Sequence, residues 1–238
     1  MRMLLKLQSV LTFEDFLSKV PAEQPFMATS CCPAWSVMAK KLFPDFKPYI
    51  SMALTPMVLT GRLIKKQKPD AKVVFIGPCA AKKLEASRKS VRSDVDFVLT
   101  FEEVMGMFEA KGINLPQVEA DAPFEEGTAN GRGFAVSGGV ANAVKQCIQK
   151  EHPDKEVLID SAEGLKNCRT MLMMAKAGKR NGYLLEGMAC PGGCVAGAGT
   201  LQPVIKSSAL VKKYTNDAEK KLAFESEYLD NLDLLTKE

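Results

Sequence analysis

Histidine is nearly absent from this chain of 238 residues: the single copy, His152, stands between Glu151 and Pro153 in a polar stretch. One imidazole with no ligand set around it argues against histidine-built metal centres and acid–base pairs, and His152 reads as a solvated loop residue. Long apolar runs are lacking too. Nowhere do about 18 consecutive apolar residues occur, the least that would suggest a membrane-spanning helix. The opening residues, MRMLLKLQSVLTF, are broken by charge before a signal-type apolar core develops. A soluble, cytoplasmic protein with no membrane partner is therefore expected. A strong charge of one sign is also missing, since Lys and Arg number 32 against 28 Asp and Glu, scattered in short runs such as Lys40-Lys41 and Lys212-Lys213. Nucleic-acid binding is not expected from so mild an excess. No internal repeat and no low-complexity segment interrupts a composition that is 46% hydrophobic, enough to bury a core as one or two domains.

What is present is an alternation of strand-length apolar runs with helical patterns. The runs are 25 to 30, 72 to 78, 96 to 101, 156 to 161 and 182 to 189. They are rich in Val, Ile, Phe and Leu, and predict strands of a parallel sheet buried on both faces. Helical patterns lie at 34 to 43, 54 to 67, 102 to 112, 139 to 151, 162 to 178 and 208 to 223. The fold class is α/β, a twisted parallel sheet flanked by helices. The one long irregular stretch runs from Asn114 to Ser137 and reads as a lobe boundary or surface excursion. The Met-rich run 171 to 176 reads as helical core filler.

Seven cysteines without a signal segment fit a reducing compartment, where clustered thiols bind metal or do redox chemistry more often than they pair. Five of them fall in three places: TSCCP (29 to 33), GPC (77 to 79) and MACPGGC (188 to 194). Each place directly follows a predicted strand. Ligands of open parallel sheets bind at the strands' carboxyl ends, so the three groups are expected to converge there. Thiolates favour iron–sulfur clusters, zinc or copper(I). Cys32, Cys79, Cys190 and Cys194 make a set of four, and the C-x3-C spacing around Pro-Gly-Gly differs from the C-x2-C knuckle of structural zinc. Cys147 and Cys168 each sit singly on a predicted helix and read as core residues.

TSCCPAW (29 to 35), PCAAKKLE (78 to 85) and EGMACPGGCVAGAG (186 to 199) resemble the three signature segments of the FeFe (iron-only) hydrogenases, in the same order. SDVDFVLTFEE, SGGVANAV and EGLKNC between them resemble that family's connecting segments, so the likeness covers nearly the whole chain. The resemblance implies an H-cluster: a 4Fe-4S cluster joined by a cysteine thiolate to a diiron subcluster with CO, cyanide and a bridging dithiolate. Cys32, Cys79, Cys190 and Cys194 would hold the cubane, with Cys194 as the bridge. Cys31 would pass protons, Lys82 would donate to a cyanide, and Met188 would pack near the diiron unit. Ser51, with Asp15 or Glu14, would continue the proton path. Lys83 is then the exposed lysine of the pair.

Three departures from that family pattern stand out. Gly77 replaces a methionine that packs against the diiron unit in well-known members. Ferredoxin-like cysteine runs are lacking, so electrons would come from ferredoxin or a similar small carrier. Only about 28 residues precede TSCCP, so residues 1–28 read as the remnant of a first lobe, 29–205 as the cluster-binding core and 206–238 as a C-terminal helical segment. A completing subunit and H-cluster maturation proteins are the further partners implied. The expected activity is reversible conversion of 2 H+ and 2 electrons to H2 by an oxygen-sensitive oxidoreductase. A 4Fe-4S assembly factor without the diiron unit, a hydrogen sensor and, last, a zinc domain are the alternatives.

Overall fold

The computed structural model describes residues 5–119 and 127–226, with 5–11 as backbone only. Helix α1 (Leu5–Lys19) leads to strand β1 (Met27–Ala28), α2 (Pro33–Leu42), a 3-10 turn (Pro44–Tyr49) and α3 (Pro56–Gln67). Then follow β2 (Val74–Ile76), α4 (Ala81–Ala86), β3 (Phe97–Leu99), α5 (Phe101–Ala110), α6 (Ala129–Gly133) and α7 (Gly139–Glu151). The chain continues through β4 (Leu158–Glu163), α8 (Leu165–Lys176), β5 (Tyr183–Met188) and α9 (Val204–Asn216). The fold is α/β, and every ladder between named strands is parallel.

All five expected strands form, but among the described residues they make two sheets rather than one. One has the order β1-β5-β4 and the other is the pair β2-β3. Burial on both faces holds for β1 and for β5, whose residues 184–188 are all buried. It fails elsewhere. In the β2-β3 pair, Phe75 and Val98 point into a cluster with Met57, Val58, Val73, Val91 and Val95. Alternate residues of a strand face opposite ways, and on the other face Val74, Ile76 and Phe97 are 46%, 43% and 60% exposed. No described element covers that face.

Two expected helices, α8 and α9, begin elsewhere than the periodicity put them, and α1, α4 and α6 form where no helix was expected. α8 starts at Leu165 because Ser161–Glu163 stay in register with Glu186–Met188, and Gly164, at φ +75°, ends the strand. α9 lies at Val204–Asn216 rather than 208–223, set at its start by Pro203, whose fixed φ suits a helix entry. Of the expected C-terminal segment, residues 227–238 lie outside the described residues. In the 114–137 stretch α6 is a short helix, and 120–126 lie outside the described residues. Phe13 and Phe16 of α1, with Val20 just past its end, pack against Val144, Cys147 and Ile148 of α7. His152 caps the end of α7 at the surface, while Cys147 and Cys168 are fully buried in the core.

Trp35 sits at the centre of the second core cluster, fully buried, its indole N–H donating to the Thr29 carbonyl at 3.0 Å. Gly187 of β5 is its floor, since a Cβ there would fall inside the indole ring. Gly187→Ala is expected to destabilise the protein by about 2 kcal/mol, the usual cost of overpacking a filled core. Urea unfolding measures it, and a loss under ~0.5 kcal/mol would show that the Trp35 pocket yields.

Candidate functional site

Each cysteine-bearing loop leaves the carboxyl end of a strand. After β1, Thr29 N–H donates to Leu185 O at 2.9 Å, and the chain turns so that Cys32 becomes the N-cap of α2, with Pro33 in its first turn. After β2, Gly77 N–H donates to Leu99 O at 3.0 Å, which aims Pro78-Cys79 towards the first sheet. After β5, Gly192 and Gly193 both take φ near +93° (94° and 93°), a conformation that glycine adopts readily. A Cβ on Gly193 would press on the backbone of 135–137, and one on Gly197 would strike the Pro78 carbonyl. Gly199 N–H donates to that same carbonyl at 2.9 Å, so the last cysteine loop ties the two sheets together.

The loops meet around a cavity of about 480 Å3 lined by Cys31, Cys32, Cys79 and Cys194 together with Lys82 and Met188. Cys190 is not on that wall, yet its thiol feels Cys32 and Cys79, and Cys194 feels all three. The four thiols expected as a set therefore lie in one electrostatic neighbourhood. Ala189 N–H points at Cys32 Sγ at 3.5 Å. Among the described residues no three Cys, His, Asp or Glu side chains close on a single ion. Soft thiol donors converging from three loops, with an amide aimed at sulfur and glycine backbone pressed close, fit a cysteine-held iron–sulfur group.

The electrostatics of the thiols follow from burial. Burial pushes Cys194 up to about 12, with Cys32, Cys79 and Cys190 adding to the rise and Lys82 opposing it. Cys31 is held well above the usual thiol range, first by burial and then by Glu186 and its neighbouring cysteines. Lys82 is 8% exposed, its ammonium donating to Glu85 Oε2 at 2.6 Å and to the Cys31 carbonyl at 3.4 Å. Lys83 is exposed and pairs with Glu103 at 2.8 Å.

Other expected residues do not join the site. Ser51 is buried but absent from the cavity wall, and its Oγ accepts from Ala53 N–H at 3.2 Å. Glu14 is exposed and Asp15 pairs with Lys19 at 2.5 Å. Gly77 leaves room that the Phe75 ring fills: a Cβ there would lie 2.8 Å from the ring, and Phe75 lines the cavity.

Sequence reading passed over Glu186. It is fully buried in β5, and its two oxygens accept from Gly138 N–H at 2.9 Å and Ala141 N–H at 2.7 Å. It thus fastens the cavity wall at Phe134, Ala135 and Val140 to the strand that carries Met188. A charge within the apolar run GYLLEGMA was the available signal. Burial raises its pKa to about 7, against three backbone amides that lower it. An unfolded carboxyl near 4.5 releases its proton first, so between pH 4.5 and 7 the native state binds more protons and stability falls as pH rises. The loss is about 3 kcal/mol at most across that window. Urea unfolding from pH 5 to 8 should show this decline, and Glu186→Gln should flatten it. A wild-type curve that rises through the window would contradict the assignment.

Residues 4–198 match the family described as iron only hydrogenase large subunit, C-terminal domain. A periplasmic Fe hydrogenase large subunit of Nitratidesulfovibrio vulgaris is 32% identical over 218 residues, covering 74% of this chain and 51% of that protein. A cytosolic Fe-S cluster assembly factor of Danio rerio is 29% identical over 225 residues, covering 74% and 54%. The solved structure of an FeFe-hydrogenase HydA1 variant from Chlamydomonas reinhardtii shares the fold with a TM-score of 0.71 at 21% identity, over 97% of this chain and 76% of that one. The chain spans about half the length of the curated relatives it matches. With its three cysteine loops inside the matched segment, the chain belongs to the iron-only hydrogenase family and carries the C-terminal domain of that family's large subunit.

Proposed function

We propose that this domain houses an H-cluster and takes part in the reversible reaction 2 H+ + 2 e- to H2, with electrons from a ferredoxin-type carrier in an anaerobic cytoplasm. The observation that carries the reading is the cavity itself. Beside three of the four cysteines expected to hold the cubane it is walled by Cys31, Lys82 and Met188, none of which a cubane alone requires. When bound, the cubane supplies one-electron relay and the diiron unit supplies the metal chemistry of hydrogen.

The chain's own residues then have definite tasks. Cys32, Cys79, Cys190 and Cys194 hold the cubane as thiolates, giving up the protons that their free thiols carry. Cys194, on the cavity wall, would be the thiolate that also holds the diiron unit. Cys31, kept as a neutral thiol by its burial, holds a proton at Sγ on the cavity side and passes it inward. Lys82 keeps an ammonium at the wall, where a charge-assisted bond orients an anionic ligand. Met188, packed with Phe134 and Val140, helps exclude water. Maturation proteins would deliver the diiron unit, and a completing subunit is a further partner of this reading.

The assembly-factor relatives favour a second reading, in which only the cubane is held. Anaerobic reconstitution followed by hydrogen evolution from a reduced viologen separates the two. Hydrogen in the headspace supports the first, and an intact cubane with none supports the second.

A further inference from the structure

Position 77 is glycine for want of space, not for its backbone. The glycines with positive φ do not include Gly77, so its conformation would accept any L residue. What a side chain there would meet is a single ring. The three atoms nearest an added Cβ all belong to Phe75, two of them at 2.8 and 2.9 Å and the third at 3.9 Å. Gly77 prolongs β2 through its N–H bond to Leu99 O, and residues two apart on a strand point the same way. The Phe75 ring therefore reaches forward over Gly77, towards the carboxyl end of β2 where Cys79 stands.

Phe75 is backed by the core and open in front. It packs against the cluster of Met57, Val58, Val73, Val91 and Val95, and it lines the cavity together with Met57, Pro78 and Cys79. Val74 and Ile76 face the other way and are exposed, and Gly77 is not on the wall. The ring is thus the one side chain of β2 that bounds the cavity beside the Cys79 loop, and it bounds it with carbon alone. Cutting it back to a methyl group would open a dry apolar void on the order of 100 Å3, large enough to take a small apolar molecule. What an inorganic group leaves free of the cavity's 480 Å3 decides which gas fits, and H2 needs less room than carbon monoxide. Shape alone can sort such molecules by about tenfold to a hundredfold.

We propose that Phe75 is a specificity-determining residue: its ring, seated over Gly77, keeps the cavity beside Cys79 too narrow for small apolar gases larger than H2, carbon monoxide among them. This rests on the proposed function above. Phe75 and Gly77 act as one unit, in which a large side chain at either position requires a small one at the other.

The test has one arm without the metal group and one with it. In urea unfolding of the full chain, Gly77→Leu should lower the midpoint by roughly 0.5 M and Phe75→Ala by roughly 1 M. The two together should unfold later than Phe75→Ala alone, because the leucine takes the space that the ring vacates. Additive losses would show that the ring does not hold that space, and overturn the proposal. In the chain loaded with cubane and diiron unit, Phe75→Ala should tighten the inhibition of hydrogen oxidation by carbon monoxide about fivefold, with a change of less than about twofold in the KM for H2. Phe75→Leu, which keeps more of the core filled, should tighten it about twofold. Adding Gly77→Leu to Phe75→Ala should bring the inhibition back towards that of the wild type. Equal changes for the two gases, or none for either, overturn the specificity role while leaving the H-cluster reading intact. A wild type that shows no protein-bound carbonyl bands overturns both.

Discussion

Serine at position 194 should leave a folded protein that holds no diiron unit and evolves hydrogen at a rate lower by about three orders of magnitude or more, which corresponds to at least ~4 kcal/mol of lost transition-state stabilisation. Cys194 is the one proposed cubane ligand of the last loop that also lines the cavity, where Cys190 does not. Its loop is held by Gly193 N–H to Cys190 O at 3.0 Å and by Val195 N–H to Ala135 O at 3.1 Å. Neither bond involves the thiol, so the fold should survive its loss. Cys190→Ser is the matched comparison. It should weaken the cubane itself, lowering iron content along with activity. Equal activity of Cys194→Ser and wild type in a viologen assay would sink the bridging assignment.

Lys82→Ala should cost about 3–5 kcal/mol of stability, because it abandons Glu85, 5% exposed, without the cation that pairs with it. A buried pair of this kind is weak evidence of net stabilisation, but removing one member leaves a desolvated charge. Glu85→Gln should cost less than Lys82→Ala, because the Lys82 ammonium keeps the Cys31 carbonyl and an amide oxygen as acceptors. Adding Glu85→Ala to Lys82→Ala should recover part of the loss. A double-mutant cycle by urea unfolding gives the coupling, and a single-variant loss below 1 kcal/mol would mean that water reaches Glu85. Lys82→Ala would also remove the ammonium that the proposed function places against an anionic ligand.

The sequence was most readable where one signal served one element. Buried β5 is apolar apart from Glu186, and α7 ends at the expected residues, because each is packed on the core along its length. The convergence of the cysteine loops followed from a topological rule that the two-sheet arrangement does not disturb, since parallel strands in either sheet point their carboxyl ends at the same crevice. The single-sheet expectation failed because a run such as KVVFIGP reads alike whether both faces are covered or, as with Val74 and Ile76, one is open. α1 went unread although Phe13, Phe16 and Val20 keep helical spacing, because charge and polarity around that stripe dilute it. Glu186 was hidden for the opposite reason: its neighbours are so apolar that the run was read as a strand and the one acid passed over. Tertiary hydrogen bonds from the start of α7, which alone make that acid intelligible, leave no mark in local sequence.

The decisive measurement is an infrared spectrum of the protein with its cubane installed and a synthetic diiron precursor added under anaerobic conditions. Carbonyl and cyanide ligands absorb where polypeptide does not. The proposed function predicts sharp protein-bound bands that vanish in Cys194→Ser. An intact cubane with no such bands in the wild type would contradict it and leave a cubane-only protein.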